Sequence, residues 1–235
     1  MKKCAIVTYT NSACSDVWPI YFGQLDKHAP WLKSYVFSNE NPGCKNHEFI
    51  KYDATKPYYI QWTECLKSVR EEYVVYAQED FVLYDDVKQG AFDKFTKFID
   101  ASGYDYVRPI RCGFDNSLNN VCDNYYEVNP NTDDAFMMQI TLWKKSKLRD
   151  VYLTAKSEKW LEGKHWRDAA RTLGIRGVFT YNGEPKRGAY HHDSNDYPYI
   201  CTAISRGKWS LHQYYNELMP LLKVYGVNYE ARGTR

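Results

Sequence analysis

No stretch of the 235-residue chain approaches the roughly 20 consecutive apolar residues that a membrane-spanning helix needs. The apolar opening Ala5-Ile6-Val7 is cut off by Thr8, Tyr9, Thr10, Asn11 and Ser12, too early for the core of a secretory signal. Charge of one sign is not in excess. Lys and Arg number 31 against 29 Asp and Glu, so neither a polybasic membrane surface nor a nucleic-acid partner is expected. The seven cysteines are odd in number and offer no C-x-x-C or zinc spacing, which points to free thiols in a reducing compartment. Phosphate-cradling G-x-x-x-x-G-K-[ST], dinucleotide G-x-G-x-x-G and nucleophile-elbow G-x-S-x-G motifs are all missing. There is no repeat, low-complexity block or Gly/Ser/Pro-rich linker, so one domain over 1–235 is expected. Aromatic residues, by contrast, reach 17%. Rings can stack on flat ligands such as bases and sugars, but the plainer use of such amphipathic rings is to fill a core with wet edges.

The first 110 residues alternate between strand and helix patterns. Apolar and β-branched runs predict strands over 4–9, 34–38, 48–52, 73–77 and 106–110. Between them, helical spacing predicts a helix capped by Ser15, carrying Val17, Trp18, Tyr21, Phe22 and Leu25 on one face. Further helices are expected over 59–72 and over 87–99, the latter with Asp85-Asp86 as its cap. This rhythm implies an α/β fold with a mostly parallel central sheet flanked by helices, Rossmann-like in its first half. Ligands of such sheets bind beyond the carboxyl ends of the strands. The rest, 111–235, is less regular. A polar loop over 111–124, a strand over 135–143, a helix over 164–173 closed by Gly174, and a last helix opened by Ser210-x-x-Gln213 and interrupted at Pro220 are expected.

Three clusters carry potential chemistry. Gln78-Glu79-Asp80 follows the strand YVVYA directly. Two acids at the end of a buried strand are costly without a counter-charge, which a divalent cation would supply; pairing with a lysine or capping the next segment is the alternative. His191-His192-Asp193 follows a Gly-containing loop with Lys186 and Arg187; imidazoles can complete a metal site and the two cations suit a phosphate, whereas a lone histidine is more often structural. Glu158 and Glu162 flank Trp160, an apolar wall that could raise a carboxylate's pKa and make it a general base; the alternative is a solvated helix end with one buried ring.

The segments CAIVTYTNS, YVVYAQEDFVLYDDV, FMMQITLWKK, SEKWLEG and KRGAYHHDSNDYPYICTAISRGKW together resemble the nucleotide-diphospho-sugar glycosyltransferases of the GT-A fold, in particular small soluble members from bacteria and large DNA viruses. The resemblance implies a GT-A-like sheet, with 1–110 as the nucleotide-sugar half and 111–235 as the acceptor half with a C-terminal helix. It implies Mn²⁺ or Mg²⁺ held in a D-x-D-type motif; here Gln78 stands where that motif has its first acid, and Asp80 is the implied metal ligand, joined by His191 or His192. Gln78 or Glu79 would face the ribose or sugar, and Thr8, Tyr9 and Asn11 would cradle the base. Asp53 would hydrogen-bond base or ribose, with Lys186 and Arg187 near the phosphates. The donor would be UDP- or GDP-linked and the acceptor a glycan or glycoconjugate, in the cytoplasm (the host's, for a virus). Negative charge developing on a departing nucleoside diphosphate is stabilised by a cation and basic side chains. Inverting displacement also needs a base on the opposite face: Glu162 first, Glu158 second, then Asp134, with Trp160 and Asp134 on the acceptor side. Two other readings stand beside this one, a metal-dependent phosphoesterase or nuclease built from Asp80, His191, His192 and Asp193, and a non-catalytic carbohydrate-binding protein.

Overall fold

The structure, a computed structural model, describes residues 4–113, 118–132, 135–158, 163–188 and 191–235. Trp160, Glu162 and Asp134 lie outside the described residues. The first strand, β1 (Cys4–Tyr9), shows how the architecture arises. Ala5, Ile6, Val7 and Thr8 are all fully buried rather than alternately so. Only a strand covered on both faces takes such a continuous run. β1 pairs in parallel with β2 (Lys33–Ser38) on one side and β4 (Tyr73–Gln78) on the other, and β2 pairs in parallel with β3 (Glu48–Lys51). Helices α1 (Trp18–His28) and α2 (Tyr58–Ser68) connect them.

Beyond β4 the sheet changes character. β9 (Thr141–Lys144) enters antiparallel between β4 and β6 (Tyr106–Arg108), and β6 then pairs in parallel with β10 (Gly177–Thr180). The hairpin of β7 (Asn120–Cys122) and β8 (Tyr125–Glu127) completes the order β3-β2-β1-β4-β9-β6-β10-β8-β7. The α/β expectation of a large, mostly parallel sheet flanked by helices is therefore met. The two halves of the chain interleave, because β9 comes from the second half. Short ribbons decorate one end: β5 (Val82–Leu83) with β13 (Tyr199–Ile200), β11 (Lys186–Arg187) with β12 (His191–His192), and β14 (Ile204–Ser205) with β15 (Lys208–Trp209).

Several local expectations are corrected. Ser15 does not cap α1; Asn11 caps a single 3₁₀ turn over Ser12–Cys14, and α1 starts at Trp18 with Pro19 in its first turn, where a missing N–H costs nothing. Asp85 and Asp86 do not cap α3, which runs over Ala91–Ser102 behind Gly90 (φ 82°). Val87 and Lys88 instead donate their backbone N–H groups to His28 and Asp196, which holds this stretch extended. Only the end of the 135–143 run is strand. Thr141 turns its hydroxyl back onto the Gln139 carbonyl, and Phe136 stacks on Trp166 at 4.1 Å. The polar 111–124 segment contributes β7 to the sheet. Helix α4 (Lys145–Ala155) was not anticipated, whereas α5 (Lys164–Leu173) ends at Gly174 as expected. Helix α6 (Tyr215–Val224) begins beyond Gln213 and runs through Pro220, and α7 (Tyr229–Arg232) follows it. The Ser210–Gln213 box goes unused because Ser210 donates its N–H to Ala203 in the neighbouring ribbon.

Much of the aromatic surplus fills the core. Trp62 of α2 stacks between Tyr9, Tyr76 and Tyr152, with centroids 5.6, 5.1 and 5.1 Å away, and Phe37 meets it edge-on at 5.4 Å. This column anchors α2 and α4 to β1 and β4. Gly177 has a comparable steric duty, since a Cβ there would lie 1.8 Å from the ring of Tyr106 on β6. All seven cysteines are free.

Candidate functional site

The carboxyl ends of β1, β3, β4, β6 and β10 form one rim, and most of the candidate residues lie along it. Gln78 ends β4 and donates to the Tyr76 hydroxyl at 2.8 Å and to the Met138 sulfur at 3.5 Å. Glu79 and Asp80 follow, both half-buried. Desolvation raises the Glu79 pKa, and contacts with Cys14, Thr10 and Arg232 only partly offset it. Desolvation and then the charge of Glu79 push Asp80 well above the ordinary carboxylate range, against backbone N–H groups including that of Ile204. Neither acid forms an ion pair with a described lysine or arginine. Asp80 also accepts the Ala203 N–H through its carbonyl at 3.0 Å, so the end of β4 grips the start of the β14–β15 ribbon.

That ribbon turns tightly at Arg206-Gly207, both with positive φ (51° and 76°), the signature of a primed hairpin turn. An arginine at a position favouring Asn or Gly is uncommon, and here it reaches a cavity. The cavity, about 330 Å³, is also lined by Gln139, His191, Ser210, His212 and Arg235. Arg235 arrives because its backbone brackets Trp209, donating to the Trp209 carbonyl at 2.8 Å while its own carbonyl accepts from Leu211. Its guanidinium donates to Ser205 at 3.1 Å. Neither Arg206 nor Arg235 forms an ion pair with a described carboxylate side chain, which leaves two cations facing the hollow. Sequence reasoning overlooked Arg206, His212, Gln139 and Arg235; the Arg-Gly pair between Ile204-Ser205 and Lys208-Trp209 was the available hairpin signal for the first.

The histidines separate. β12 pairs with β11 in register Arg187↔His191 and Lys186↔His192, so consecutive side chains leave the ribbon on opposite faces. His191 is buried, lines the cavity and lies parallel to Tyr214 at 6.0 Å; its Nε2 has no hydrogen-bond partner among the described residues. Burial, with the charges of His192 and Arg187, lowers its pKa to about 4, so the ring is neutral. His192 turns to Tyr181, 5.1 Å away. The expected trio of Asp80, His191 and His192 does not converge: among the described residues the only three-ligand group within 4.8 Å is His28, Asp85 and Asp86, outside this rim. Asp193 is likewise drawn away, accepting from Arg187 Nε at 3.0 Å. The four-residue phosphoesterase centre is therefore not assembled.

The remaining candidates hold structure together. Arg187 donates to Asp193, to Glu217 at 2.6 Å and to the Gln213 carbonyl, and its guanidinium lies over the Tyr214 ring. Lys186 is exposed. Thr8 is buried against the Tyr21 hydroxyl at 2.7 Å. Tyr9 is packed in the aromatic column and donates to Gln61 at 2.5 Å, and Asn11 accepts from Ala13. Asp53 is fully solvated beyond β3 and closes a turn on Thr55, whose N–H and hydroxyl hold its carboxyl below the usual range. Glu158 is exposed on the rim, and its carbonyl caps α2 by accepting the Tyr58 N–H at 3.1 Å.

No protein-family profile matches the chain, and no curated protein matches it. Solved structures do. S. aureus TarS superposes with a TM-score of 0.52 at 14% identity, over 81% of this chain and 36% of that one. The bifunctional IspDF of Campylobacter jejuni gives 0.46 at 16% identity over 78% and 50%, and the 2-C-methyl-D-erythritol 4-phosphate cytidylyltransferase of Thermus thermophilus gives 0.46 at 14% over 75% and 87%. The chain thus spans half or less of the first two proteins.

Proposed function

From the GT-A-like fold shared with TarS, we propose that the chain transfers a sugar from a nucleotide-diphosphate donor to a glycan hydroxyl. The observation that carries this reading is the juxtaposition at one rim of two desolvated carboxylates, Glu79 and Asp80, with a cavity presenting Arg206 and Arg235. Paired acids that form no ion pair with a described lysine or arginine suit a hard divalent cation, whose other ligands come from phosphate oxygens and water. Asp80 with Glu79 would hold Mn²⁺ or Mg²⁺, which when bound supplies positive charge against the diphosphate. Arg206 and Arg235 bind and orient the phosphates, by the planar fork geometry that suits them. Gln139, Ser210 and neutral His191 offer hydrogen bonds to the sugar. Glu162, with Glu158 second, takes the proton from the acceptor hydroxyl.

Calorimetric titration of the full chain with UDP-glucose, UDP-galactose and GDP-mannose, in Mn²⁺, Mg²⁺ or EDTA, tests the proposal. At least one donor should bind in metal, at least tenfold more weakly in Arg206→Ala. Absence of binding by every donor in both metals would overturn it.

A further inference from the structure

A second, distal groove carries a reading that does not depend on group transfer. Trp62, Trp143, Trp166 and Trp209 are fully buried, but Trp31 leaves 40% of its surface open. It sits in the turn between α1 and β2, with its ring 6.3 Å from Phe92 of α3. It forms one wall of a groove of about 500 Å³, whose other walls include Lys27, Asp86, Gln89 and Asn195. That size lies within the usual range for a small-molecule site, about 300–1,000 Å³.

The lining is mixed in a particular way. One broad aromatic surface is surrounded by donors and acceptors. The side chains of Gln89 and Lys27 make no hydrogen bond or ion pair with any described residue. Asp86 gives one oxygen to His28 at 2.7 Å and is otherwise solvated. The segment carrying Asp86 and Gln89 is held in place by the Val87→His28 and Lys88→Asp196 backbone hydrogen bonds, so the polar wall is set before any ligand arrives. Lys27 and Asp86 balance in charge, and Lys88, also on the lining, is paired with Asp196 at 3.7 Å, which disfavours a strongly anionic ligand. A pyranose ring has the complementary surface: a C–H face for the indole and equatorial hydroxyls for amide, ammonium and carboxylate. We propose that this groove is a saccharide-binding subsite, with Trp31 as its platform and Asp86 and Gln89 reading the hydroxyls.

Its place in the fold separates it from the rim. The first turn of α1 lies next to Cys14, which contacts Glu79, and the groove lies at the other end of this 11-residue helix, about 16 Å away at 1.5 Å per residue. A glycan seated here would be held at a distance from the site of Asp80.

Titration of the full chain with cellobiose, chitobiose, lactose, mannobiose and inorganic phosphate, read by tryptophan emission and calorimetry, tests the assignment. At least one disaccharide should bind and shift the emission of the exposed indole. Trp31→Ala and Gln89→Ala should each weaken it tenfold or more, Trp31→Tyr should retain it, and circular dichroism should report an intact fold throughout. Failure of every nucleotide sugar to bind the unmutated chain, with disaccharide binding intact, would count against the transfer reading alone. Failure of every disaccharide, binding of phosphate only, or equal affinity in Trp31→Ala would overturn the subsite.

Discussion

Replacing Asp80 by Asn should stabilise the metal-free protein while abolishing its response to divalent cations. The Asp80 carboxyl is raised in pKa by desolvation and by Glu79 beside it. A carboxyl whose folded pKa lies above its unfolded value favours the fold at low pH, and that advantage is lost as pH rises through the folded pKa. Wild-type stability should therefore decline from about pH 4 upward relative to Asp80→Asn, in which the amide stays neutral. Removal of the charge should therefore raise the stability of the metal-free protein at neutral pH, with about 2–4 °C in Tm for each kcal/mol at this chain length. Saturation with Mn²⁺ at a hundred times its Kd should return about 2.7 kcal/mol to wild type and nothing to the variant. Thermal melts at pH 4.5, 6 and 8, with EDTA or Mn²⁺, read both effects. If the two proteins keep a constant difference across that range, or if Mn²⁺ raises both equally, Asp80 is neither strained nor a ligand.

Three further outcomes follow from the packing. Gly177→Ala forces a Cβ into the Tyr106 ring, whose hydroxyl is tied to the Ala135 carbonyl at 2.7 Å, and should cost about 1–3 kcal/mol in urea unfolding. His191→Gln should flatten the acid side of the stability profile. The depressed His191 pKa supports the fold above the unfolded value of 6.5, and this support is lost as pH falls towards about 4, amounting to about 3 kcal/mol measurable by denaturant titration. Arg187→Ala strips Asp193 and Glu217 of their shared partner and should lower stability by about 1–3 kcal/mol, with donor affinity in calorimetry unchanged because its guanidinium already serves the fold.

The first half of the fold was legible because its signals are local. β4 announces itself as an unbroken apolar run; in the second half, α5 is marked in the same local way by the glycine that stops it. β9 was signalled only as part of the apolar run over 135–143: the strand itself is the four residues Thr141–Lys144, and its pairing with β4 on one side and β6 on the other makes it a central strand. Asp85 and Asp86 looked like a cap, yet the His28 carbonyl takes the Val87 N–H first. The acids at 79–80 could be read from chain position, since strand ends in such sheets gather at one rim. Arg235 could not, because it reaches its place through pairing with Trp209 rather than through any neighbour in sequence. The histidine pair was misleading for a geometric reason, as adjacent residues of a ribbon face opposite ways.

The antiparallel strand wedged into the middle of the sheet also has a consequence during synthesis. Once Gln78 has left the ribosome, β3, β2, β1 and β4 can assemble, but the partner that covers the open side of β4 lies more than sixty residues later. At translation speeds of about 5–20 residues per second, Tyr73–Gln78 waits roughly 3–13 s with its backbone groups bare. During that interval this buried strand is a template for any other strand nearby. Slow codons between 79 and 140 would lengthen the exposure and lower the soluble yield, and a co-expressed holdase would restore it.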